Sequence, residues 1–240
     1  MNCLITGASY GIGRCLALSL ANMNYDLLLT YNTNELLIKK LKEEIQSKYK
    51  VKCIIKKCNL KDEDEIKGVI DTFQKEFGKI DVLVNNASYS CDNLISNKTK
   101  FEFMENLEIN VVGTFLMSKY ASNIMNKDGV IINMSSTDGI DTYSLYNIDY
   151  SVSKAGIIQM TKVFSLSYKD FRTIAVAPNW VDTESTREMS QDYLKKELER
   201  IGQKKLISKE KVVNEIIKII VDKNILSGSI IRIEDDKDEI

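Results

Sequence analysis

The 240-residue sequence predicts an α/β fold in which helices cover both faces of one doubly wound, parallel, seven-stranded sheet. Apolar runs alternate with amphipathic segments along the whole chain. These runs are apolar on both strand faces, as in strands that lie between two helical layers. Crossovers between parallel strands are right-handed, so a ligand is expected at the carboxyl ends of the strands.

The predicted strands are short apolar runs bounded by polar residues or glycine. In chain order they are NCLIT, YDLLLT, VKCIIKK, IDVLVNN, GVIINMSS, RTIAVAP and GSIIRI. Helical periodicity fills the gaps between them. The predicted helices cover 12–23, 34–49, a segment from Asp62, 100–125, a segment from Asp149, and KEKVVNEIIKIIVDK. Residues 1–240 are expected to form a single domain, with a mobile polar segment at 182–205.

Composition excludes several classes of function. The chain contains no histidine, which rules out a Ser-His-Asp triad, a histidine-ligated zinc site and a histidine-based dehydrogenase. The formal net charge is −1 and no basic block is present, so neither nucleic acid nor a membrane surface is an expected partner. Any acid–base chemistry must therefore use Asp, Glu, Lys, Tyr or Cys.

The cysteines and the two ends of the chain predict a reduced, cytoplasmic protein. The five cysteines are an odd number without a C-x-x-C pair, which favours free thiols over disulfides or a metal site. The first strand starts almost at Met1, and we expect neither a signal peptide nor a membrane span. The acidic end EDDKDEI is expected to be solvated.

A glycine-rich turn, TGASYGIG, joins the first strand to the first helix. Gly7, Gly11 and Gly13 allow a sharp turn and a close backbone approach to a diphosphate at the helix N-terminus. A bare turn would also use glycine, but the position between a strand and a helix favours dinucleotide binding.

A tyrosine and a lysine stand one helical turn apart in YSVSK. Tyr150 and Lys154 share a helix face at this i, i+4 spacing. A tyrosine has an ordinary pKa near 10, and a neighbouring ammonium is expected to lower that pKa. The pair is therefore a candidate acid–base couple that takes the place of histidine, although Y-x-x-x-K alone is common.

These stretches, together with NNAS, LEINVVGTF, INMSSTDG and APNWVDT, occur in an order that resembles the short-chain dehydrogenase/reductase family, whose fold is Rossmann-type. The sequence is most similar to 3-oxoacyl-[acyl-carrier-protein] reductases. The resemblance implies an NAD(P)(H)-dependent enzyme that reduces a carbonyl to an alcohol, or the reverse, with Tyr150 as general acid and base. It further implies that Asn110 holds a relay water and that Lys154 tunes Tyr150 and holds the nicotinamide ribose.

The resemblance also implies a catalytic serine that hydrogen-bonds the substrate carbonyl. Ser136 fits this role, with Ser135 as the alternative, because Ser136 precedes Tyr150 by fourteen residues where the family usually has thirteen. The cofactor-binding residues implied by the resemblance are Gly7, Ser9, Tyr10, Gly11, Ile12, Gly13, Tyr31, Asn32, Asn59, Leu60, Asn86, Ala87, Ser88, Tyr150, Lys154, Pro178, Asn179, Val181 and Thr183.

The second strand bears on the choice of cofactor. Tyr31 stands where NAD-preferring members carry an acidic residue, so NADP(H) is favoured and NAD(H) is the alternative. Ser88 and Asn179 replace family glycines, and Asn59 replaces an aspartate near the adenine. These changes leave open a second hypothesis, a sensor or scaffold that binds NAD(P) without turnover.

The remaining expectations concern the substrate and partners. The substrate is expected to be a small-molecule or acyl-thioester carbonyl compound, and the polar segment 182–205 is expected to form its lid. A homodimer or homotetramer is expected through the helices near 100–126 and 150–169. A sugar-nucleotide epimerase is disfavoured by the glycine spacing, and a divergent enoyl reductase by the tyrosine–lysine spacing.

Overall fold

The computed structural model describes residues 1–235 and contains the predicted parallel seven-stranded sheet. Its order is β3-β2-β1-β4-β5-β6-β7, and every pairing is parallel. The strands are β1 (Asn2–Ile5), β2 (Asp26–Tyr31), β3 (Cys53–Lys57), β4 (Ile80–Asn85), β5 (Met125–Met134), β6 (Arg172–Pro178) and β7 (Ile230–Ile233).

The chain reverses its direction of travel across the sheet between β1 and β4. β1 pairs with β2 on one side and with β4 on the other, while the strands after β4 extend away from it. Such a switch point leaves a crevice at the carboxyl ends of the strands, because the neighbouring crossover helices lie on opposite faces. The turn after β1 and the turn after β4 both open into this crevice.

Helices cover both faces of the sheet. They are α1 (Gly11–Asn22), α2 (Glu35–Lys48), α3 (Glu63–Phe77), α4 (Lys100–Leu107), α5 (Thr114–Ala121), α6 (Ile148–Ser167), α7 (Glu184–Arg187), α8 (Gln191–Ile201) and α9 (Lys209–Val221). One apolar core joins the sheet to α1, α2 and α9, and a second joins it to α3 and α5. Alternate side chains of one strand enter different cores, as Ile5 and Leu4 of β1 do.

Local sequence signals explain several helix starts. Asp62 begins α3 as predicted, because its carboxylate accepts hydrogen bonds from the N–H groups of Asp64 and Glu65. Thr99 and Glu102 form a reciprocal capping box at α4. These side chains satisfy N–H groups that have no partner inside the helix.

Three parts of the chain differ from, or lie beyond, the predicted element boundaries. The predicted helix over 100–125 is continuous as far as Ile124, but a π-helical turn over Glu108–Gly113 joins α4 to α5, a 3-10 turn over Ser122–Ile124 ends the helix, and β5 begins at Met125. The polar segment at 182–205 contains two helices, α7 and α8, and Leu194 of α8 is buried. Residues 236–240 of the acidic end lie outside the described residues.

Within residues 1–235, no helix is both long enough and apolar enough to cross a membrane.

Candidate active site

A cavity of about 840 Å³ runs along the carboxyl ends of the strands. This volume is in the range of small-molecule and cofactor sites. The sequence-predicted residues that line it are Gly7, Ser9, Tyr10, Gly11, Ile12, Tyr31, Asn32, Asn59, Leu60, Asn86, Ala87, Ser88, Ser136, Tyr150, Lys154, Pro178, Asn179, Val181 and Thr183. Gly13 and Asn110 do not line the cavity themselves, but each contacts residues that do.

The glycine turn is held against the end of β4 by close packing. Gly7 has a φ of +64°, and a Cβ at this residue would come within 2.8 Å of Ala87. The side-chain amide of Asn86 donates to the Gly7 carbonyl at 2.9 Å, and a Cβ on Gly13 would lie 2.6 Å from that amide nitrogen. Gly13 is therefore a packing glycine, and the turn has no room for side chains at either residue.

The N-terminus of α1 presents backbone N–H groups to the cavity, as a diphosphate site requires. Gly11, at a φ of +60°, donates its N–H to Glu184 Oε2 at 3.0 Å. The same carboxylate group pairs with Lys209 at 3.0 Å. The N-terminus of α1 therefore binds a carboxylate anion in this structure, and the residues of the turn fit a dinucleotide diphosphate. That diphosphate and Glu184 would compete for one donor.

Tyr150 and Lys154 lie on the first two turns of α6 and reach the cavity together. The Lys154 ammonium nitrogen lies 5.2 Å from the centre of the Tyr150 ring and donates to the Met134 carbonyl at 2.9 Å. Burial lowers the pKa of Lys154 to about 7, while the charge of Asp138 acts in the opposite direction. The predicted convergence of the two side chains is present.

The predicted lowering of the Tyr150 pKa by Lys154 is not present in this structure. Burial raises the pKa of Tyr150 above its ordinary value, and the negative charges of Asp138 and Asp92 raise it further. A hydrogen bond from Ser136 acts against this rise. The physical reason is that the pocket removes water from both groups, so each favours its neutral form. A neutral phenol has a proton to donate, which suits the reduction of a carbonyl.

The two serines after β5 have different environments. Ser136 lines the cavity beside the Tyr150 phenol, and its hydroxyl accepts from the Asp138 N–H at 3.1 Å. Ser135 is buried and its hydroxyl donates to the Lys154 carbonyl at 2.8 Å. Ser135 also lines the cavity, but its hydroxyl is used to tie β5 to α6, so we expect Ser136 rather than Ser135 to contact the substrate.

Replacing each serine by alanine separates these two roles. We expect Ser136→Ala to lower kcat/KM by about 100-fold, because the reacting oxygen loses a hydrogen-bond donor, with little change in unfolding. We expect Ser135→Ala to cost about 1 kcal/mol of unfolding free energy and to affect catalysis less. Steady-state kinetics and urea unfolding of both variants measure the difference. The assignment of Ser136 fails if Ser135→Ala shows the larger catalytic loss.

Asn110 is buried in the π-helical turn and fixes the chain around it. Its Oδ1 accepts from the Tyr89 N–H at 2.7 Å. Its amide nitrogen donates to the Tyr89 carbonyl at 2.8 Å, to Asn106 at 2.8 Å and to Ser153 at 3.1 Å. The amide hydrogens are therefore used within the protein, and the relay water that the resemblance implies stays a prediction. Single π turns of this kind are frequent at functional sites.

The opposite end of the cavity lies beside the ends of β2 and β3. Tyr31 ends β2, and the register pairs it with Lys57 at the end of β3. Asn32 lines the cavity next to Tyr31. Asn59 Oδ1 accepts from the Lys61 N–H at 3.1 Å, so this oxygen closes a local turn.

The wall that follows β6 is built from a strand end and a short helix. Pro178 ends β6, and the Asn179 N–H donates to the Ile233 carbonyl of β7 at 3.0 Å. Thr183 caps α7 by accepting from the Thr186 N–H at 3.3 Å. Met189 also lines the cavity. Asn179 does not have a positive φ, so the family glycine that it replaces is not required by the backbone here.

Several lining residues escaped the sequence analysis, among them Asp92, Asp138 and Asn147. Asp138 follows Ser136 by two residues, and a charge so close to the candidate serine was a usable signal. Gly139 also escaped: a Cβ there would lie 2.5 Å from the Lys154 carbonyl carbon, so this glycine lets the serine loop pack onto α6. Spacing alone does not reveal such a contact.

Within residues 1–235, no group of three or more Cys, Asp or Glu side chains is placed to hold a metal ion. The five thiols are free, and burial raises the pKa of Cys53 to about 11 and of Cys58 to about 12.

Comparison with known proteins agrees with the resemblance stated above. A family model described as short chain dehydrogenase matches residues 1–194. The 3-oxoacyl-[acyl-carrier-protein] reductase FabG of Aquifex aeolicus is 33% identical over 218 residues, covering 89% of this chain and 87% of the relative. The FabG of Thermotoga maritima is 31% identical over 237 residues, covering 97% and 95%.

Solved structures confirm the fold. A short-chain dehydrogenase/reductase from Serratia marcescens superposes with a TM-score of 0.90 at 20% identity and covers 97% of this chain and 95% of its own. A short chain dehydrogenase from Burkholderia cenocepacia, solved in complex with NADP, gives a TM-score of 0.90 at 21% identity with the same coverage.

Proposed function

The chain belongs to the short-chain dehydrogenase family, and on that premise we propose that it transfers a hydride between a nicotinamide cofactor and a carbonyl carbon. The reaction reduces a carbonyl to an alcohol, or runs in reverse. One observation carries this proposal: Tyr150, Ser136 and Lys154 meet in the same cavity as the phosphate-binding turn. The glycine turn would hold the diphosphate, and Tyr150 and Lys154 would lie at the nicotinamide end.

When bound, the nicotinamide supplies or accepts the hydride. Ser136 orients the carbonyl oxygen by a hydrogen bond, and the neutral phenol of Tyr150 donates a proton to that oxygen as negative charge develops on it. Lys154 lies beside the Tyr150 ring, where it would hold the nicotinamide ribose, and its ammonium form would stabilise the phenolate that remains. Asn110 positions this group by bonding to Ser153, whose hydroxyl donates to the Tyr150 carbonyl at 2.7 Å.

For the cofactor we propose NADP(H) over NAD(H). Tyr31 places no carboxylate at the end of β2, where an acidic side chain would repel a 2′-phosphate. Lys57 lies beside it at the end of β3 and adds a positive charge to this region. We expect a lower Kd for NADPH than for NADH, measured by fluorescence titration of the protein. An equal or tighter affinity for NADH would refute this preference.

For the carbonyl compound, the curated relatives suggest one candidate, a 3-oxoacyl thioester. The experiment follows NADPH oxidation at 340 nm with an acetoacetyl thioester and with simple ketones. Turnover of any of them supports the hydride-transfer proposal, and turnover of the thioester supports this substrate class. Demonstrated NADPH binding without turnover across a broad carbonyl panel would favour the second candidate function, a sensor or scaffold.

We also propose that the chain acts as a single domain that assembles into a homodimer or homotetramer. Apolar side chains remain exposed on α4, the π turn, α5 and α6, namely Phe101, Met104, Val112, Phe115, Val152, Val163 and Leu166. A second copy would remove this surface from water. The segment 182–205 is proposed as the substrate lid, because Ser185, Thr186 and Met189 face the cavity.

A further inference from the structure

The substrate end of the cavity is unusually acidic for a site that would accept a neutral carbonyl compound. We define the substrate chamber by Ser136, Tyr150, Asp138, Asn147 and Asp92, all of which line the cavity. The negative charges of both aspartates act on Tyr150, since each raises the pKa of its phenol. The acidic side chains therefore share the chamber with Ser136 and Tyr150, the two residues proposed to contact the reacting carbonyl.

Of the two carboxylates, Asp138 has the larger effect on the pKa of Tyr150. It belongs to the loop that carries Ser136, and its Oδ1 accepts from the Thr142 hydroxyl at 3.0 Å. Its charge also acts on Lys154, whose pKa it raises against the effect of burial. Burial raises the pKa of Asp138 to about 6, so the group is mostly ionised at neutral pH and only partly solvated.

Asp92 enters the chamber from the loop that follows β4. Its Oδ1 accepts from the Ser90 hydroxyl at 3.3 Å. Desolvation is also the largest cause of the raised pKa of Asp92, and the negative charge of Asp92 in turn raises the pKa of Asp138. Within residues 1–235, neither of these two carboxylates forms an ion pair.

The basic side chains near the chamber have other partners. Lys98 pairs with the fully buried Asp149 at 3.1 Å, and its own side chain is only 3% exposed. Arg200 of α8 pairs with Glu197 at 2.8 Å. Each pair is close to neutral, so the negative charges of Asp92 and Asp138 are only weakly compensated. Their nearest cationic influences are Lys154, Lys98 and Arg200, each acting from beyond ion-pair distance.

Asn147 gives an independent indication of a ligand. It precedes the first residue of α6, lines the chamber and is 4% exposed. Its Oδ1 is buried and has no hydrogen-bond partner in the described structure. A buried acceptor without a donor costs free energy, and buried polar groups are normally satisfied. The described protein supplies no donor to this oxygen, which has almost no accessible surface, and a ligand donor would reach it once the amide turns towards the chamber.

The chamber thus presents two carboxylates and one amide oxygen, all of which accept hydrogen bonds. A complementary substrate must bring donors, and a positive charge complements the two carboxylates best. We propose that the substrate is a carbonyl compound, or the corresponding alcohol, that carries a protonated amine, and that Asp138 and Asp92 select it. This inference rests on the proposed hydride transfer and names a substrate class different from the thioester of the curated relatives.

The test compares two alcohols of nearly equal shape that differ in charge. The probes are 5-(dimethylamino)pentan-2-ol, which is protonated at pH 7.5, and 6-methylheptan-2-ol, its uncharged carbon analogue. Both are titrated calorimetrically into the protein saturated with NADPH, a complex in which neither alcohol can react. We expect the wild-type protein to bind the amine about 10-fold or more tightly than its analogue.

Three variants locate the source of that preference. Asp138→Asn is expected to reduce it to about threefold or less, and Asp92→Asn to weaken it by a smaller factor. Asp192→Asn removes the same charge from an exposed first-turn residue of α8 that does not line the cavity, and should retain the preference. Thermal unfolding and the Kd for NADPH show that each variant remains folded.

Two results would overturn the inference: equal wild-type affinity for the two alcohols, or an equal loss of the preference in Asp138→Asn and Asp192→Asn. The hydride-transfer proposal is tested separately by NADPH oxidation with the two matching ketones. Amine-selective binding without reduction of either ketone would support the substrate chamber and contradict the hydride transfer. Reduction of both ketones without any preference for the amine would support the hydride transfer and contradict the substrate chamber.

Discussion

Replacing Tyr150 by phenylalanine is expected to lower kcat by about 1,000-fold while the Kd for NADPH changes by less than about threefold. The ring, and with it the packing against Lys154, is retained in this variant. Only the phenolic hydroxyl is lost, and with it the proton that the account assigns to the carbonyl oxygen. Stopped-flow or steady-state absorbance at 340 nm measures the loss.

The control is Tyr143→Phe, which removes a phenol from the same loop region. Tyr143 is 64% exposed, and its hydroxyl donates only weakly to the Ile140 carbonyl, at 3.4 Å. This variant should retain wild-type kinetics within about twofold. A Tyr150→Phe enzyme that keeps more than a tenth of the wild-type kcat would rule out Tyr150 as the proton donor.

Replacing Lys154 by methionine is expected to abolish turnover and to make the protein more stable at pH 7. Lys154 is almost fully buried, and burial lowers its pKa to about 7 from an ordinary 10.5. The folded state therefore releases this proton more readily than the unfolded state does. Removing the lysine is expected to raise the unfolding free energy by about 1–3 kcal/mol, after allowing for the lost hydrogen bond to Met134.

The pH dependence has a definite sign. A buried lysine with a lowered pKa destabilises the folded state below the unfolded pKa, because folding then requires either loss of a proton or burial of a charge. The stability advantage of Lys154→Met should therefore be largest near pH 7 and below, and shrink as the pH rises towards 10.5. Urea unfolding at pH 7 and pH 10 measures it, with exposed Lys162→Met of the same helix as the unaffected control. A destabilised Lys154→Met protein at pH 7 would contradict this account.

Much of the fold was predictable because its signals are local. Apolar runs such as those of β1 and β4 are buried on both faces, and Asp62 capped α3 where the acidic pattern indicated. Gly7 was predictable because it is needed both for its backbone conformation and for the close approach of Ala87. Nearly all of the residues that the resemblance implies for cofactor binding line the cavity, and their role in binding stays a prediction.

The features of the site that the sequence did not predict depend on tertiary contacts. The π turn at Asn110 results from bonds to Tyr89 and Ser153, which are distant in sequence. The raised pKa of Tyr150 results from burial and from Asp138, neither of which the spacing to Lys154 reveals. The spacing correctly predicted that the pair meets, but the dielectric surroundings decide which proton each member carries.

The contact between Gly11 and Glu184 also depends on the tertiary fold and could not be predicted from the sequence. The residues are 173 positions apart, and only the fold brings the carboxylate to the N-terminus of α1. A helix N-terminus favours an anion of any origin, so its charge preference was predictable and its partner was not.

Transfer of a labelled hydride tests the central claim most directly. The protein is incubated with NADPH carrying deuterium at nicotinamide C4, separately on each face, and with the charged and uncharged ketones and an acetoacetyl thioester. We expect deuterium from one face only to appear on the carbinol carbon of the product, as detected by mass spectrometry, and to be absent with Tyr150→Phe over the same time. An alcohol product that carries no deuterium from either face would contradict direct hydride transfer in this cavity.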